Sequence, residues 1–427
     1  MITGIGMATA LGGDRESCWH SLRNGRRGVR WLSNGLMRVS GTSGSSVPGA
    51  IRWAGAPVGD VGFPPDGVSA GAVEALEQCN EPVVRLALAT AAEALADAGL
   101  QTPPARPDRV GCVLGTGKGG LQSFTRLWHD LRNERGLGET TTRDPTEWFY
   151  CWPNAAAAVV SHVFGLRAVA VCPVAACATG LASVAYAADL IREGRCDVVL
   201  AGSADASLHP SLLAAYRRLG VLARAFEEPS RAVRPFDRNR NGFLVGEGAG
   251  MLVLERWEHA QQRGATPYAE WVGWAGATDV HGLIALDANG TALAQLLQRL
   301  LEQTQLSWDE VDYINLHGTA TRLNDLCETR AVKAAFGRHA PHLSCSGLKG
   351  ALGHLLGAAG SVELAATALA IRDRIIPPTV NLFEPDDLCD LDYTAGTARS
   401  RRIENAIKIS LGFGGHLIVA LLRSCPS

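Results

Sequence analysis

Apolar runs in this chain repeatedly end at glycine, and the stretch from residue 168 to 201 constrains the fold most. Ala168–Val174 reads as a strand. Cys177–Ile191 carries apolar residues at helical spacing (Leu181, Val184, Ala185, Ala188, Ile191) and stops at Gly194. Asp197–Ala201, with VVLAG at its core, reads as the next strand. Two strands joined by a helix run parallel, with the helix lying across the sheet.

The same rhythm recurs. Ile2–Gly6 reads as a first strand, and Val83–Ala98 as a helix stopped by Gly99. Gly111–Leu114 reads as a buried strand entering GTGKGG, and Asn154–Phe164 as a helix. In the second half, Val311–Leu316 is a strand entering HGT, and Gly353–Ile371 is one long helix. Ile407–Leu411, GFGG and Leu417–Leu422 form a hairpin. Arg26–Cys79, rich in Gly, Ser, Pro and Val, is expected to form surface excursions. Two halves with strands and a central helix each suggest a duplication: residues 1–255, which carry Cys177, and residues 256–427.

With 427 residues, 47% apolar and 19% charged, the chain can bury a large core, which argues against disorder. The balance of 40 basic and 42 acidic residues gives no preference for nucleic acid, although a local basic patch for a small acidic partner stays open. The 11 cysteines are irregularly spaced and read as buried thiols plus one reactive candidate rather than a disulfide scaffold. No signal peptide is legible in MITGIGMATALGG, and no apolar stretch reaches membrane-spanning length. A soluble cytoplasmic enzyme without membrane insertion is expected.

Cys177, in PVAACATG, lies where a strand gives way to a helix. Unpaired N–H groups and positive potential there favour a thiolate, and Ala175, Ala176, Ala178 and Gly180 are small enough to admit a substrate carbonyl. Cys172 and Cys196 suit a structural role better. His317 follows the strand YINL directly, and His354 opens the expected long helix with Lys349 five residues before it. Taken alone, each histidine is equally well read as structural. Glu363 is too far from His354 for a contact along one helix and is expected to act through tertiary packing. Cys172 and Cys177 are not spaced as a structural zinc pair, Asp237–Glu247 departs from a calcium loop, and GTGKGG lacks phosphate-loop spacing. No metal or nucleotide site is expected.

Six blocks in order resemble the beta-ketoacyl-acyl-carrier-protein synthases of the elongating type II class, in the thiolase superfamily. They are CATG at Cys177, FDRNRNGFLVGEGAG (Phe236–Gly250), HGTATRLNDLCE (His317–Glu328), LKGALGHLLGAAG (Leu348–Gly360), NLFEPDDLCDLDY (Asn381–Tyr393) and SLGFGGH (Ser410–His416). The resemblance implies a thiolase-like α/β fold, a duplicated mixed-sheet architecture in five αβαβα layers. It also implies condensation of an acyl thioester on Cys177 with malonyl-acyl carrier protein, in fatty acid synthesis or, alternatively, in a specialised polyketide or unusual-lipid pathway. By the resemblance, Cys177 takes the acyl group, His317 and His354 hold the malonyl thioester carbonyl, and Lys349 tunes the site. Glu363, Asp325 and Glu328 are expected as supporting acids, and Phe413 as a gate whose N–H joins that of Cys177 in an oxyanion hole. No cofactor or metal is implied. The partners implied are an acyl carrier protein and a second copy of the chain.

The chain departs from the family pattern at Ala176, Leu348, Gly350, Leu352, Leu411 and Leu417. These changes are expected to make the pocket rim less polar without removing an acid, base or nucleophile. The bulky WFYCWPN segment (Trp148–Asn154) is expected either to reshape the acyl tunnel or to pack in a dimer interface. A non-catalytic partner subunit is disfavoured by the retention of Cys177, His317, His354 and Lys349.

Overall fold

The computed structural model describes residues 1–33, 52–59, 61, 70–133 and 145–425. Its core is two five-stranded sheets. The first contains β1 (Ile2–Thr9), β2 (Val110–Thr116), β3 (Ala170–Val171), β4 (Val198–Asp205) and β5 (Gly248–Glu255), in spatial order β1-β5-β4-β2-β3. The second contains β6 (Glu270–Thr278), β7 (Tyr313–Asn315), β8 (Ser344–Ser346), β9 (Asn405–Gly412) and β10 (His416–Arg423), in order β6-β10-β9-β7-β8. Numbered within its own half, each sheet runs first, fifth, fourth, second, third. The first three strands in that order pair antiparallel, and the last three pair parallel. Identical topology in both halves establishes the duplication that sequence periodicity suggested.

The principal helices are α1 (Pro82–Asp97), α2 (Leu121–Asn133), α3 (Ala155–Phe164), α4 (Thr179–Arg192), α5 (Thr291–Thr304), α6 (Arg322–Phe336) and α7 (Ala359–Asp373). In each half the helix preceding the fourth strand lies between the sheets: α4 and α7 pack on each other and on strands of both sheets. Helices α1 and α3 cover the outer face of the first sheet, and α5, backed by α6, covers that of the second. The result is five layers, αβαβα, with one apolar cluster between the sheets and one under each outer layer. The inner strands β4 and β5 and helix α7 are buried along almost their whole length, as sheets covered on both faces require. None of the described helices is long and apolar enough to cross a membrane.

The two central helices meet through glycine. A Cβ on Gly180 would lie 2.4 Å from the Ser361 nitrogen, and a Cβ on Gly360 would lie 2.4 Å from the Leu181 nitrogen. Gly180 therefore serves this reciprocal crossing rather than making room for substrate. The contact brings the N-terminal ends of α4 and α7 together.

Several boundaries differ from expectation. The expected helix over Gly353–Ile371 is broken: Lys349–Leu352 is a short helix, Gly353 takes φ +70°, His354 is extended, and α7 begins at Ala359. His354 instead hydrogen-bonds through its backbone to Leu244 and Gly246, so tertiary pairing overrides the local helical pattern. The strands expected at 168–174 and 311–316 shorten to β3 and β7. Within Arg26–Cys79, residues 34–51, 60 and 62–69 lie outside the described residues. Ala54 and Ala56 are buried, with Ala56 bridged to Gly246, so this part is not a surface excursion.

Candidate active site

Cys177 sits in a 3-10 turn, Ala176–Ala178, that runs straight into α4. Ala176 holds φ +49°, a left-handed backbone that costs a residue with a Cβ about 1–2 kcal/mol. The Ala175 N–H donates to the Thr179 hydroxyl at 2.8 Å, and the Ala178 N–H donates to the Ala175 carbonyl at 2.9 Å, which closes the turn. The β9–β10 hairpin approaches from the second sheet. A Cβ on Gly412 would lie 2.6 Å from the Ala175 carbonyl oxygen, so glycine is needed for this approach. It aims the Phe413 N–H at the Cys177 sulfur.

Burial pushes the Cys177 thiol up to about 11, against the pull of Lys118, Lys349 and the Phe413 N–H. The thiolate expected at a helix N-terminus is thus overridden by desolvation. At neutral pH the resting sulfur is a thiol.

His317 and His354 meet edge to face, with ring centroids 5.4 Å apart and planes at 81°. Burial drives both well below the ordinary histidine value, and the Lys349 ammonium adds to the effect. Both rings are neutral at pH 7, and their partners assign the tautomers. The His354 Nδ1 accepts from the Leu356 N–H at 3.1 Å. The His317 Nδ1 faces the Lys349 Nζ at 3.3 Å, and an ammonium can only donate. Each imidazole therefore carries its proton on Nε2. The edge-on Phe243 ring, 4.8 Å from His354, supports that histidine.

Behind His317 lies a buried charge cluster. The Lys349 Nζ donates to the His317 carbonyl and to Glu363 Oε1, the latter at 2.8 Å. The Lys408 Nζ, from β9, lies 2.8 Å from Glu363 Oε2 and donates to the Ile409 carbonyl at 2.7 Å. Both lysines are fully buried. The tertiary contacts of Glu363 are with Lys349 and Lys408 rather than with His354. Burial lowers the Lys408 pKa. Lys408 was not singled out by sequence reading; a lysine amid the apolar run of a central strand was the available signal.

The Glu328 carboxylate accepts from the His317 N–H at 2.6 Å, the Gly318 N–H at 2.7 Å and the Asn324 side chain at 2.8 Å, which fixes the loop carrying His317. Asp325 accepts from the Phe236 N–H at 2.8 Å and faces Arg240 at 3.5 Å. Arg240 continues to Asp386, and Asp237 accepts from the Phe383 and Glu384 N–H groups at 2.9 Å. Three of the sequence blocks are thus clamped together away from the reacting atoms.

Cys177, His317, His354 and Phe413 line one cavity of about 360 Å³, closed elsewhere largely by apolar groups that include Leu411 and Phe243. Lys349, Glu363, Asp325 and Glu328 stand behind its wall. Of the departures from the family pattern, Leu411 lines the cavity. Leu348, Leu352 and Leu417 are buried in apolar clusters, and a Cβ on Gly350 would meet the Val380 carbonyl at 2.7 Å. These four positions answer to packing, not to rim polarity. Trp148 and Trp152 lie on the surface, in edge contact with ring centroids 5.4 Å apart, and do not line this cavity. Among the described residues, no group of three or more His, Cys, Asp or Glu side chains is placed to hold a metal ion.

Residues 1–260 match the beta-ketoacyl synthase N-terminal domain and residues 268–383 the C-terminal domain. The chain is 36% identical to a putative polyketide beta-ketoacyl synthase 1 of Streptomyces halstedii, over 97% of this chain and 95% of that protein. It is 34% identical to a 3-oxoacyl-[acyl-carrier-protein] synthase 2 of Coxiella burnetii, over 97% and 96%. A solved type II polyketide synthase acyl-carrier protein in complex with its ketosynthase, bound to the hexaketide, matches with TM-score 0.85 and 30% identity, covering 100% of this chain and 98% of that one. With its duplicated sheets and a cysteine turn facing two neutral imidazoles, this chain belongs to the beta-ketoacyl synthase family, the thiolase-fold enzymes that join acyl thioesters by Claisen condensation.

Proposed function

We propose that the enzyme holds an acyl chain on Cys177 and extends it with a malonyl unit delivered on an acyl carrier protein, in a polyketide pathway. The observation that carries the reaction is the convergence of the Cys177 sulfur and two Nε2–H imidazoles on one cavity. In loading, the bond from the acyl carbon to the carrier sulfur breaks as the bond to Cys177 forms. The thiol proton passes to the departing carrier sulfur. In condensation, the malonyl carboxylate leaves as carbon dioxide and its electron pair forms an enolate. Hydrogen bonds from the His317 and His354 Nε2–H groups stabilise the enolate oxygen. The enolate carbon attacks the acyl-Cys177 carbonyl, and the Cys177 and Phe413 N–H groups receive the resulting oxyanion. Collapse expels the cysteine sulfur and leaves a 3-oxoacyl carrier thioester. Lys349 acts through His317 by holding its tautomer, and Glu363 holds Lys349.

The polyketide assignment, rather than fatty acid synthesis, rests on the polyketide synthases among the most similar relatives. Fatty acid elongation is the second reading, favoured by the match to the Coxiella protein. We also propose a homodimer. Among the described residues the edge strand β3 has a strand neighbour on one side only, and Trp128, Trp148 and Trp152 are exposed on neighbouring elements of the same half.

Intact-protein mass spectrometry with acyl and malonyl carrier proteins, comparing wild type with Cys177→Ala, tests the reaction. An acyl adduct lost in the variant, with ketoacyl product from wild type, is expected. No adduct with either oxygenated or saturated acyl chains would refute it. Preferred turnover of saturated chains to products typical of fatty acids would favour the second reading.

A further inference from the structure

The loop GTGKGG places a lysine that the mechanism above does not use. It follows β2, and its glycines are needed by close approach: a Cβ on Gly117 would meet Asp205 at 2.6 Å, and one on Gly120 would meet the Tyr150 carbonyl at 2.1 Å. The Lys118 side chain is 23% exposed, with Nζ 3.6 Å from Asp205 Oδ2. That carboxylate is already engaged by the Gly357 N–H at 3.0 Å and, through its other oxygen, by the Ser207 hydroxyl. The Tyr216 hydroxyl feels the Lys118 charge, and Tyr216 packs on the apolar cluster that contains Cys177, Leu213 and Leu356. Burial is the largest single influence on Lys118 and pulls it down, but Asp205, Tyr216 and Cys177 together outweigh it, so the ammonium stays charged. Among the groups favouring a Cys177 thiolate, Lys118 exceeds Lys349.

Lys118 does not line the cavity shared by His317, His354 and Phe413. Tyr216 does not line it either, yet packs on the cluster that holds Cys177, so this pair borders the nucleophile without sharing the wall that carries the two imidazoles. A saturated chain leaving the sulfur toward Lys118 would displace water from an ammonium and replace it with methylene, an uncompensated loss. A carbonyl oxygen two carbons from the thioester would replace that water with a hydrogen bond.

We infer that Lys118, assisted by Tyr216, is a specificity-determining residue that selects acyl chains bearing carbonyl oxygens close to the Cys177 thioester. This inference rests on the proposed ketosynthase reaction and names the class of chain it accepts.

The test compares acylation of Cys177 by 3-oxo-octanoyl and octanoyl thioesters of one carrier protein in wild type, Lys118→Met and Tyr216→Phe, followed by addition of malonyl carrier protein. Because Lys118 also favours the thiolate, its loss slows both acylations, so the ratio of the two rates is the readout. Wild type is expected to favour the 3-oxo chain, and Lys118→Met to cut that ratio about tenfold or more, as loss of a charged hydrogen bond implies. Tyr216→Phe, which leaves the Lys118–Asp205 pair intact, is expected to cut it less and decides the matter if Lys118→Met does not fold. A wild-type preference for octanoyl, or a ratio unchanged in the folded variants, overturns the inference while leaving condensation intact. Absence of acylation and product with both chains overturns the ketosynthase reading instead.

Discussion

Glu363→Gln tests the charge cluster behind His317. Glutamine keeps the shape of glutamate, so packing is unchanged and charge alone is removed. In the native protein one carboxylate faces two fully buried ammonium groups at 2.8 Å each. Removing one member of a buried ion pair costs about 3–5 kcal/mol. The ceiling is set by neutralising one lysine instead, about 4.6 kcal/mol at pH 7 for a group with an unfolded pKa near 10.4. Lys408 is the group that yields, because burial already lowers its pKa. The folded variant then lacks a proton that the unfolded chain still binds. Its stability therefore rises with pH, by about 1.4 kcal/mol per unit, until the unfolded lysine titrates near 10.4. The native Lys408, lowered to about 8, gains in the same direction only above that pH, so the deficit of the variant narrows between pH 7 and about 8 and then holds steady as both rise together. Urea unfolding of both proteins across that range measures it. Adding Lys408→Met to Glu363→Gln restores the net charge of the cluster and is expected to recover part of the loss. A deficit under about 1 kcal/mol at pH 7, or one that stays constant between pH 7 and about 8, refutes the reasoning.

Alkylation of Cys177 by iodoacetamide, followed by peptide mass spectrometry, is expected to be slow at pH 7 and to climb steeply above pH 9, since burial pushes the thiol up to about 11; a plateau below pH 8 contradicts this. His354→Ala is expected to lower malonyl decarboxylation by about 10²–10³-fold while the acyl adduct on Cys177 still forms, and equal loss of both steps would argue against the assigned role. Gly412→Ala forces a methyl group against the Ala175 carbonyl and is expected to cost about 1–3 kcal/mol and most of the Cys177 acylation rate, measured by denaturation and adduct formation. Sedimentation of Trp148→Ser/Trp152→Ser is expected to show weakened dimerisation with chain preference unchanged; a monomeric wild type would sink the dimer.

Much of the architecture was legible in local pattern. The strand-helix-strand unit around Cys177 and the Gly-linked hairpin of β9 and β10 follow from apolar spacing and turn chemistry, which act over a few residues. Cys177, His317, Lys349 and His354 were legible because each sits in a contiguous motif. The break before α7 was not, since its helical pattern is overridden by backbone pairing of His354 with a segment more than a hundred residues away.

What the sequence by itself determined, then, is the candidate groups for the chemistry, the order of strands and helices, and their division into two similar halves. Tertiary structure alone decided their chemical states. Desolvation turned the expected thiolate into a thiol. Lys349 and the Leu356 N–H selected the tautomers of the two imidazoles, and Glu363 drew in Lys408 from the apolar run of β9. The GTGKGG loop brought Lys118 beside the nucleophile in the same way. Protonation and hydrogen-bond polarity depend on burial and on distances between groups far apart in the chain, and only folding sets those distances.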